Sequence, residues 1–149
     1  MPKQELSPDN LIKLMEFQWQ DHFQTRAQTW KSLQIAAILA VALIGMDWKI
    51  DKPIATGVAS SLLFFVAVFG MLITIRHRNN VERLKFRLLG ELGVQLGIND
   101  PKLSIPDKIS WWQVFVVWKS NTSLFILRMH FILLIFSVSL FVFRIFYNF

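Results

Sequence analysis

The amino-acid sequence predicts an all-α membrane protein with three spans and long helices that extend from the membrane as a cytosolic stalk. The 149-residue chain is 54% hydrophobic and 17% charged, which is too apolar for an ordinary soluble domain. Its apolar residues lie in three blocks, at 33–46, 54–75 and 124–143. Amphipathic helical patterns with clear start and stop signals adjoin these blocks, and they predict the stalk.

The first helix is predicted over residues 8–46, after a tail at residues 1–7. Ser7 suits the N-cap, and Pro8 suits the first helical position. No helix breaker separates the polar beginning from the first apolar block. Apolar side chains recur mostly at four-residue intervals, which predicts a packing face along the helix: Leu11, Met15, Trp19, Phe23 and Trp30. Trp30 and Trp48 stand at the ends of the block, as in an aromatic belt.

The second helix is predicted over residues 54–97, after a tight turn at residues 47–53. Residues 54–75 carry no charge, and about 20 apolar residues suffice to cross a bilayer. Gly57 and Ser61 give the small-residue spacing that allows close helix packing. Past the span, the apolar row continues through Leu84, Leu88 and Leu92. Gly97, followed by Ile98 and Pro101, is a complete stop signal.

The third helix is predicted over residues 110–147, after a loop at residues 98–109. Ser110 and Gln113 form a capping-box pattern, and Ile109 with Val114 would form a hydrophobic staple. Two interpretations of residues 110–121 remain open. They form either a helix in the plane of the membrane interface or the lower part of one helix that continues through the third span. The lengths of the other two helices favour continuation.

The distribution of lysine and arginine predicts the orientation. These residues are concentrated in residues 3–31 and 76–87, whereas the turn at residues 47–53 has only two. The positive-inside rule then places the N terminus in the cytosol and, after three crossings of the inner membrane, the C terminus outside. The cytosolic arms, residues 8–31 and 76–97, would each be about 33–36 Å long. Because neither would be stable alone in water, they are expected to pack against each other as an antiparallel pair.

Basic residues beside the predicted spans are expected to contact anionic lipid headgroups or line a conduit: Arg76, Arg78, Arg83, Lys85, Arg87, Arg128 and His130. Arg128 would reach lipid phosphates by snorkelling, or else line a cavity, pair with a neighbouring subunit or bind a headgroup. The net charge of +6 could also attract nucleic acid. The position of the basic run next to a span favours lipid, and no nucleic-acid contact is expected.

Several function classes are disfavoured. None of the ten acidic residues falls inside a span, which argues against transporters coupled to protons or cations. The chain contains no cysteine, and its histidines and acids do not have metal-ligand spacing. No nucleophile elbow or phosphate-binding loop occurs. We therefore expect no enzymatic activity, no metal and no cofactor.

A short pair of spans followed by a cytosolic helix, here residues 33–75 and then 79–97, resembles the layout of SLATT-type small bacterial membrane proteins. This chain adds a third span to that layout. The resemblance implies a membrane effector of antiviral defence, and it transfers no functional residue.

Two functions follow as hypotheses. The leading one is a homo-oligomeric, channel-like effector whose stalk receives a signal and whose spans alter membrane permeability. Three thin helices cannot enclose a pore alone, so a ring of identical subunits is expected. The alternative is a non-conducting anchor that recruits a cytosolic protein partner to the membrane.

Overall fold

The structure, a computed structural model, describes residues 7–50, 53–98, 103–116 and 121–147. Within these ranges the chain is mostly helical and has no strand, and residues 104–112 form a connection without helix. The main helices are α1 (Pro8–Ile50), α2 (Pro53–Arg76), α3 (Arg83–Gln95) and α5 (Thr122–Tyr147). A π-helical segment, His77–Glu82, joins α2 to α3, and α4 (Gln113–Val116) is a single turn. The predicted tail and the side chain of Trp48 lie outside the described residues.

Three helical stretches are long and apolar enough to cross a membrane: Pro8–Asp47, Ile54–Gln95 and Thr122–Arg144. Their most apolar windows have mean hydropathies of 1.6, 2.5 and 2.3, and less than a third of each window is buried within the chain. Apolar surface of this kind is stable against lipid and unfavourable in water. The predicted all-α fold with three spans is confirmed.

The chain forms two compact units. The arm unit comprises Met1–Ala27 and Arg76–Lys108, and the span unit comprises Gln28–Ile75 and Ile109–Phe149. Residues 8–27 of the first predicted arm and the whole of the second therefore belong to one unit, and residues 28–31 and the three apolar blocks belong to the other. Inside the arm unit, Trp19 contacts Phe86 with ring centroids 5.9 Å apart, while Arg26 acts electrostatically on His77. These pairings are those of an antiparallel helix pair.

The first helix begins as the sequence predicts and ends later. The backbone N–H groups of Asn10 and Leu11 donate to the Ser7 carbonyl at 3.0 and 3.1 Å. Helix α1 continues past residue 46 to Ile50. Asp47 accepts hydrogen bonds from Thr56 at 2.8 Å and from Arg144 at 2.7 Å, so it takes part in side-chain packing instead of beginning a loop.

The end of α3 is a full Schellman motif. Gly97 has φ of +71°, its N–H donates to Val94 at 3.1 Å, and the N–H of Ile98 donates to Gly93 at 2.8 Å. The left-handed conformation favours glycine, because a Cβ atom would meet the neighbouring carbonyl. The predicted stop at Gly97 is confirmed.

Replacing Gly97 is therefore expected to weaken the end of α3. Gly97→Ala should lower the free energy of unfolding of the arm unit by about 1 kcal/mol, because an L-residue with a side chain is strained at positive φ. Gly97→Asn should lower the free energy of unfolding by less, since asparagine tolerates the left-handed conformation. Hydrogen exchange at the amides of α3 measures the difference. Equal exchange rates in the two variants and the parent chain would contradict it.

The favoured continuous helix over residues 110–147 is wrong. Asn121 is not helical, and it caps a new helix: its side chain accepts the Ser123 N–H at 2.8 Å, and its carbonyl accepts the Phe125 N–H at 2.9 Å. Asparagine competes well for this role at helix N-termini. Upstream, Gln113 accepts the Ser110 N–H at 3.2 Å, as half of the predicted capping box. Residues 117–120 lie outside the described ranges.

The span unit has two apolar clusters. Ala40, Leu43 and Leu63 form one, and Ile109, Leu124 and Leu127 form the other, against which Val114 packs as the predicted staple partner. Trp30 contacts Phe125 near the start of α5, whereas Asp47 pairs with Arg144 near its end. In this unit α1 and α5 therefore run parallel, and α2 runs antiparallel to both.

The predicted packing row of α1 is only partly correct. Leu11 is buried and Met15 and Trp19 are half-buried, but Phe23 is 61% exposed and Trp30 is 37% exposed. A strict four-residue repeat turns by about 40° at each step, so the row rotates off the buried face within three steps. His22 and Thr29 take the inner positions instead.

The same error affects the second arm. Leu92 is buried, but Leu84 and Leu88 are 58% and 38% exposed. The buried positions in their place are Glu82, Lys85 and Leu89. In the span unit, the predicted packing residues Gly57 and Ser61 are half-buried.

Candidate functional site

A buried lysine joins the two helices of the arm unit. Lys85 Nζ lies 2.5 Å from the Asp21 carboxylate and donates to the Asp21 carbonyl at 3.2 Å and to the Thr25 hydroxyl at 3.1 Å. An ammonium group has three N–H donors, and here each one has an acceptor. The residue is 8% exposed. The prediction that Lys85 contacts lipid headgroups is therefore wrong, because the side chain is enclosed in an ion pair.

The π-helical segment contributes a second buried ion pair. Arg78 Nη1 donates to Glu82 at 2.5 Å, and the two side chains are only 12% and 2% exposed. Arg78 Nε has no hydrogen-bond partner within the described part of the chain. π-Helical turns are rare and occur frequently at functional sites. Arg78, like Lys85, is therefore directed to a partner within the protein and not to lipid.

Two histidines complete this set of groups, which we call the buried charged cluster after its buried members His22, Glu82 and Lys85: Asp21, His22, Arg26, His77, Arg78, Glu82 and Lys85. The Asp21 side chain is the most open of its ion-paired groups, at 41% exposed. Burial is the main cause that lowers the pKa of both His22 and His77 below the ordinary value of 6.5, although Glu82 acts in the opposite direction. Arg26 and Lys85 lower both pKa values further. His22 is 2% exposed, and its ring meets Phe86 edge-on at 5.2 Å. Both imidazoles are therefore neutral at neutral pH.

The described side chains of the buried charged cluster are not arranged to hold a metal ion. Within the described ranges, no group of three histidine, aspartate or glutamate side chains is placed to hold a metal ion. The carboxylates of Asp21 and Glu82 are engaged by Lys85 and Arg78. The cluster instead contains two ion pairs, Asp21–Lys85 and Arg78–Glu82, together with Arg26 and the two histidines.

The remaining basic residues of the second arm lie nearer the surface. Arg76 is exposed, and Arg87 forms an exposed pair with Glu91 at 3.1 Å. Arg83 is half-buried and donates to the Pro106 carbonyl at 3.1 Å. Of the predicted headgroup ligands in this arm, Arg76 and Arg87 keep the exposure that lipid contact requires.

The ionisable residues of the third span differ from each other. His130 is fully buried, and its Nδ1 donates to the Ile126 carbonyl at 2.9 Å. The ring lies directly against Gly70, so His130 packs against α2 and does not contact lipid headgroups. Its Nε2 has no hydrogen-bond partner in the described residues. Arg128, half-buried, lies near the other end of the same span from Arg144.

A cleft of about 270 Å³ opens in the span unit between α2 and α5. Three serines line it together with aromatic and apolar side chains: Ser60, Ser61, Phe64, Phe65, Ser137, Val138 and Phe141. Ser60 and Ser61 donate to the Gly57 carbonyl at 3.0 and 2.9 Å. Ser137 is 1% exposed, and its Oγ has no hydrogen-bond partner within the part of the chain that is described. One of the residues that line the cleft, Ser137, thus carries a buried hydroxyl without a hydrogen-bond partner among the described residues.

The ion pairs of the arm unit and this cleft were not predicted from the sequence. The antiparallel pairing of the arms was predicted, but Asp21 lies opposite Lys85 only when that pairing is centred on residue 53, at the end of the predicted turn. The signal for the cleft was the small-residue spacing on α2, which predicted close packing but not the matching serine on α5.

The chain matches no protein-family model, and neither the curated proteins nor the solved structures contain one that is significantly similar to it.

Proposed function

We propose that this chain is an oligomeric membrane protein in which the serine-lined cleft contributes to a passive pathway for water or small ions. The observation that carries the proposal is the unpaired Ser137 hydroxyl beside Ser60 and Ser61. An unsatisfied hydroxyl in an apolar environment costs about 1–3 kcal/mol, so such groups are rare unless they bind a water molecule or an ion. The cleft offers a water molecule or an ion polar groups and no carboxylate, which favours passive movement over coupled transport.

Assembly of several copies is part of this proposal. Three helices do not surround a conduit alone, and the arm unit has large apolar side chains on its surface: Ile12, Phe17, Phe23, Leu84 and Val94. Exposed apolar surface outside the lipid favours association with another protein surface. We place the arms on the cytosolic side because the basic residues predict it, and Arg76 and Arg87 then face anionic headgroups. The SLATT-type layout is consistent with a permeability change in antiviral defence.

A measurement of ion flux tests the pathway. The full-length chain in liposomes should dissipate a potassium gradient. Ser137→Val should reduce the potassium flux about tenfold, because the loss of one polar contact raises the free-energy barrier to permeation by about 1.4 kcal/mol. Ser139→Val, in the same helix but exposed, is the matched control and should keep the parental flux. Equal flux from the two variants would contradict the role of the cleft.

The second candidate is a non-conducting anchor that recruits a cytosolic protein. The hydroxyl groups of Thr56, Ser60 and Thr74 favour this candidate, because each donates a hydrogen bond within the protein and needs no bound water or ion. A particle mass in detergent equal to one 17.4 kDa chain, together with no flux above that of empty liposomes, would contradict the pathway and support the anchor. A mass of several chains with measurable flux supports the pathway.

A further inference from the structure

The buried charged cluster already carries an excess of one positive charge while its histidines are neutral, because it has three cations, Arg26, Arg78 and Lys85, and two carboxylates. Asp21 and His22 come from α1 together with Arg26, and His77, Arg78 and Glu82 come from the π-helical segment, while Lys85 comes from α3. Glu82 already pairs with Arg78, and Asp21 already pairs with Lys85. A proton on either histidine would therefore add a further cation where both carboxylates are already engaged and where Arg26 and Lys85 act against its charge.

The hydrogen bonding leads to the same conclusion. His22 Nδ1 and His77 Nε2 are buried, and neither has a hydrogen-bond partner among the described residues. A protonated imidazole is a donor at both nitrogens, so at least one N–H of each ring would be left without an acceptor. The edge of the Phe86 ring and the Trp19 indole lie against His22 and supply no carboxylate or carbonyl. A buried N–H without an acceptor is strongly unfavourable.

We propose that the buried charged cluster is an acid-sensitive latch: protonation of His22 and His77 separates the two helices of the arm unit. The π-helical segment is the part that presents His77 and Glu82 to α1, so it is where the contact would open. Separation exposes both imidazoles to water, where their added charges are solvated. This latch concerns the arm unit alone and does not depend on flux through the spans.

The direction of the pH effect follows from linkage. Packed arms hold the pKa of each histidine below 6.5, so separated arms bind more protons whenever the pH is below about 6.5. The packed form has its full stability above that pH and loses stability as the pH falls. If both histidines take up a proton on separation, the ratio of separated to packed arms rises by up to about 100-fold per pH unit; with one histidine it rises by up to about tenfold.

Distance measurements between spin labels test the latch in the full-length chain. Because the sequence has no cysteine, Gln24→Cys and Gln95→Cys introduce labels at two exposed positions, one on each helix. Dilution with unlabelled chain in detergent keeps each distance intramolecular. Between about pH 7.5 and pH 5 the distance between the two labels should increase, with the steepness of two protons.

Substitutions of the two histidines test whether they are the groups that take up the protons. His22→Gln and His77→Gln should each reduce the steepness by one proton, and the double variant should show no pH dependence over this range. Glu91→Gln, which removes an exposed carboxylate, should keep the parental response. A parent chain with an unchanged distance at pH 5, or a double variant that still responds, would overturn the proposal.

A second measurement covers the case in which the double variant is already separated at neutral pH. Carbon-13 resonances of the histidine rings in the parent chain report protonation directly. Two of the three imidazoles should titrate together with the change in distance. Titration of both rings without a distance change refutes the latch, as does a distance change that precedes their protonation.

Discussion

Glu82→Gln is expected to lower the free energy of unfolding of the arm unit by about 3 kcal/mol, because it removes one partner of a buried ion pair. Arg78 would keep its charge with 12% of its side chain exposed and without its carboxylate. The substitution preserves the size of the side chain, so the loss reports charge and hydrogen bonding more than volume. It also removes the one charge of the buried charged cluster that raises the pKa of His22 and His77.

Native-state hydrogen exchange of the full-length chain in detergent measures this effect at the amides of α3, where exchange should accelerate by about 150-fold. The matched control is Glu91→Gln, which breaks an ion pair of the same helical spacing with Arg87. Those two side chains are 58% and 68% exposed, so the expected change is less than about 0.5 kcal/mol. Similar acceleration in the two variants would show that burial does not determine the strength of these pairs.

The sequence was sufficient to predict the elements whose signals are local. Ser7 and Gly97 mark helix ends through their own backbone and side-chain preferences, and both ends are where these residues predict. The three apolar blocks predict three spans for the same reason, since crossing a bilayer requires a run of apolar residues.

Features that depend on register could not be predicted in the same way. The row from Leu11 to Phe23 is apolar at every fourth position, but packing follows a period of 3.6 residues, so its later members turn outward. A charged residue such as Lys85 is normally assigned to the surface from sequence. Only the partner on the other arm, Asp21, makes its burial favourable, and that pairing requires the alignment of two distant helices.

The break at Asn121 is another case of competition between signals. Apolar residues on both sides favour one long helix, while asparagine favours a helix N-cap. The structure follows the cap, because Asn121 satisfies the Ser123 N–H with its side chain. The single turn of α4 is instead held by Ile109, whose 3% exposure shows that it is anchored in the apolar cluster with Leu124 and Leu127.

Gly70→Ala is expected to be the most damaging small substitution in the span unit. A methyl group built on Gly70 would lie 2.1 Å from Cδ2 and Nε2 of His130, far inside van der Waals contact. The obstacle is a fully buried aromatic ring, which cannot move aside as a flexible chain would. Either α2 and α5 separate or the ring leaves its place and loses its bond to the Ile126 carbonyl. Overpacking of this kind costs about 1–3 kcal/mol, and the lost hydrogen bond brings the expected effect to the upper end.

Thermal unfolding in detergent measures the consequence, with an expected decrease in Tm of about 5–10 °C for a loss of about 2.5 kcal/mol. Gly45→Ala is the matched control, because nothing lies within 4 Å of its added methyl group. That variant should be unchanged or more stable by about 0.5–1 kcal/mol, since alanine is the better helix former. His130→Ala should suppress the Gly70→Ala defect, because removal of the ring leaves room for the methyl group. Simple additivity of the two losses would mean that the two residues are not in contact, since only residues that touch show an interaction free energy of this kind.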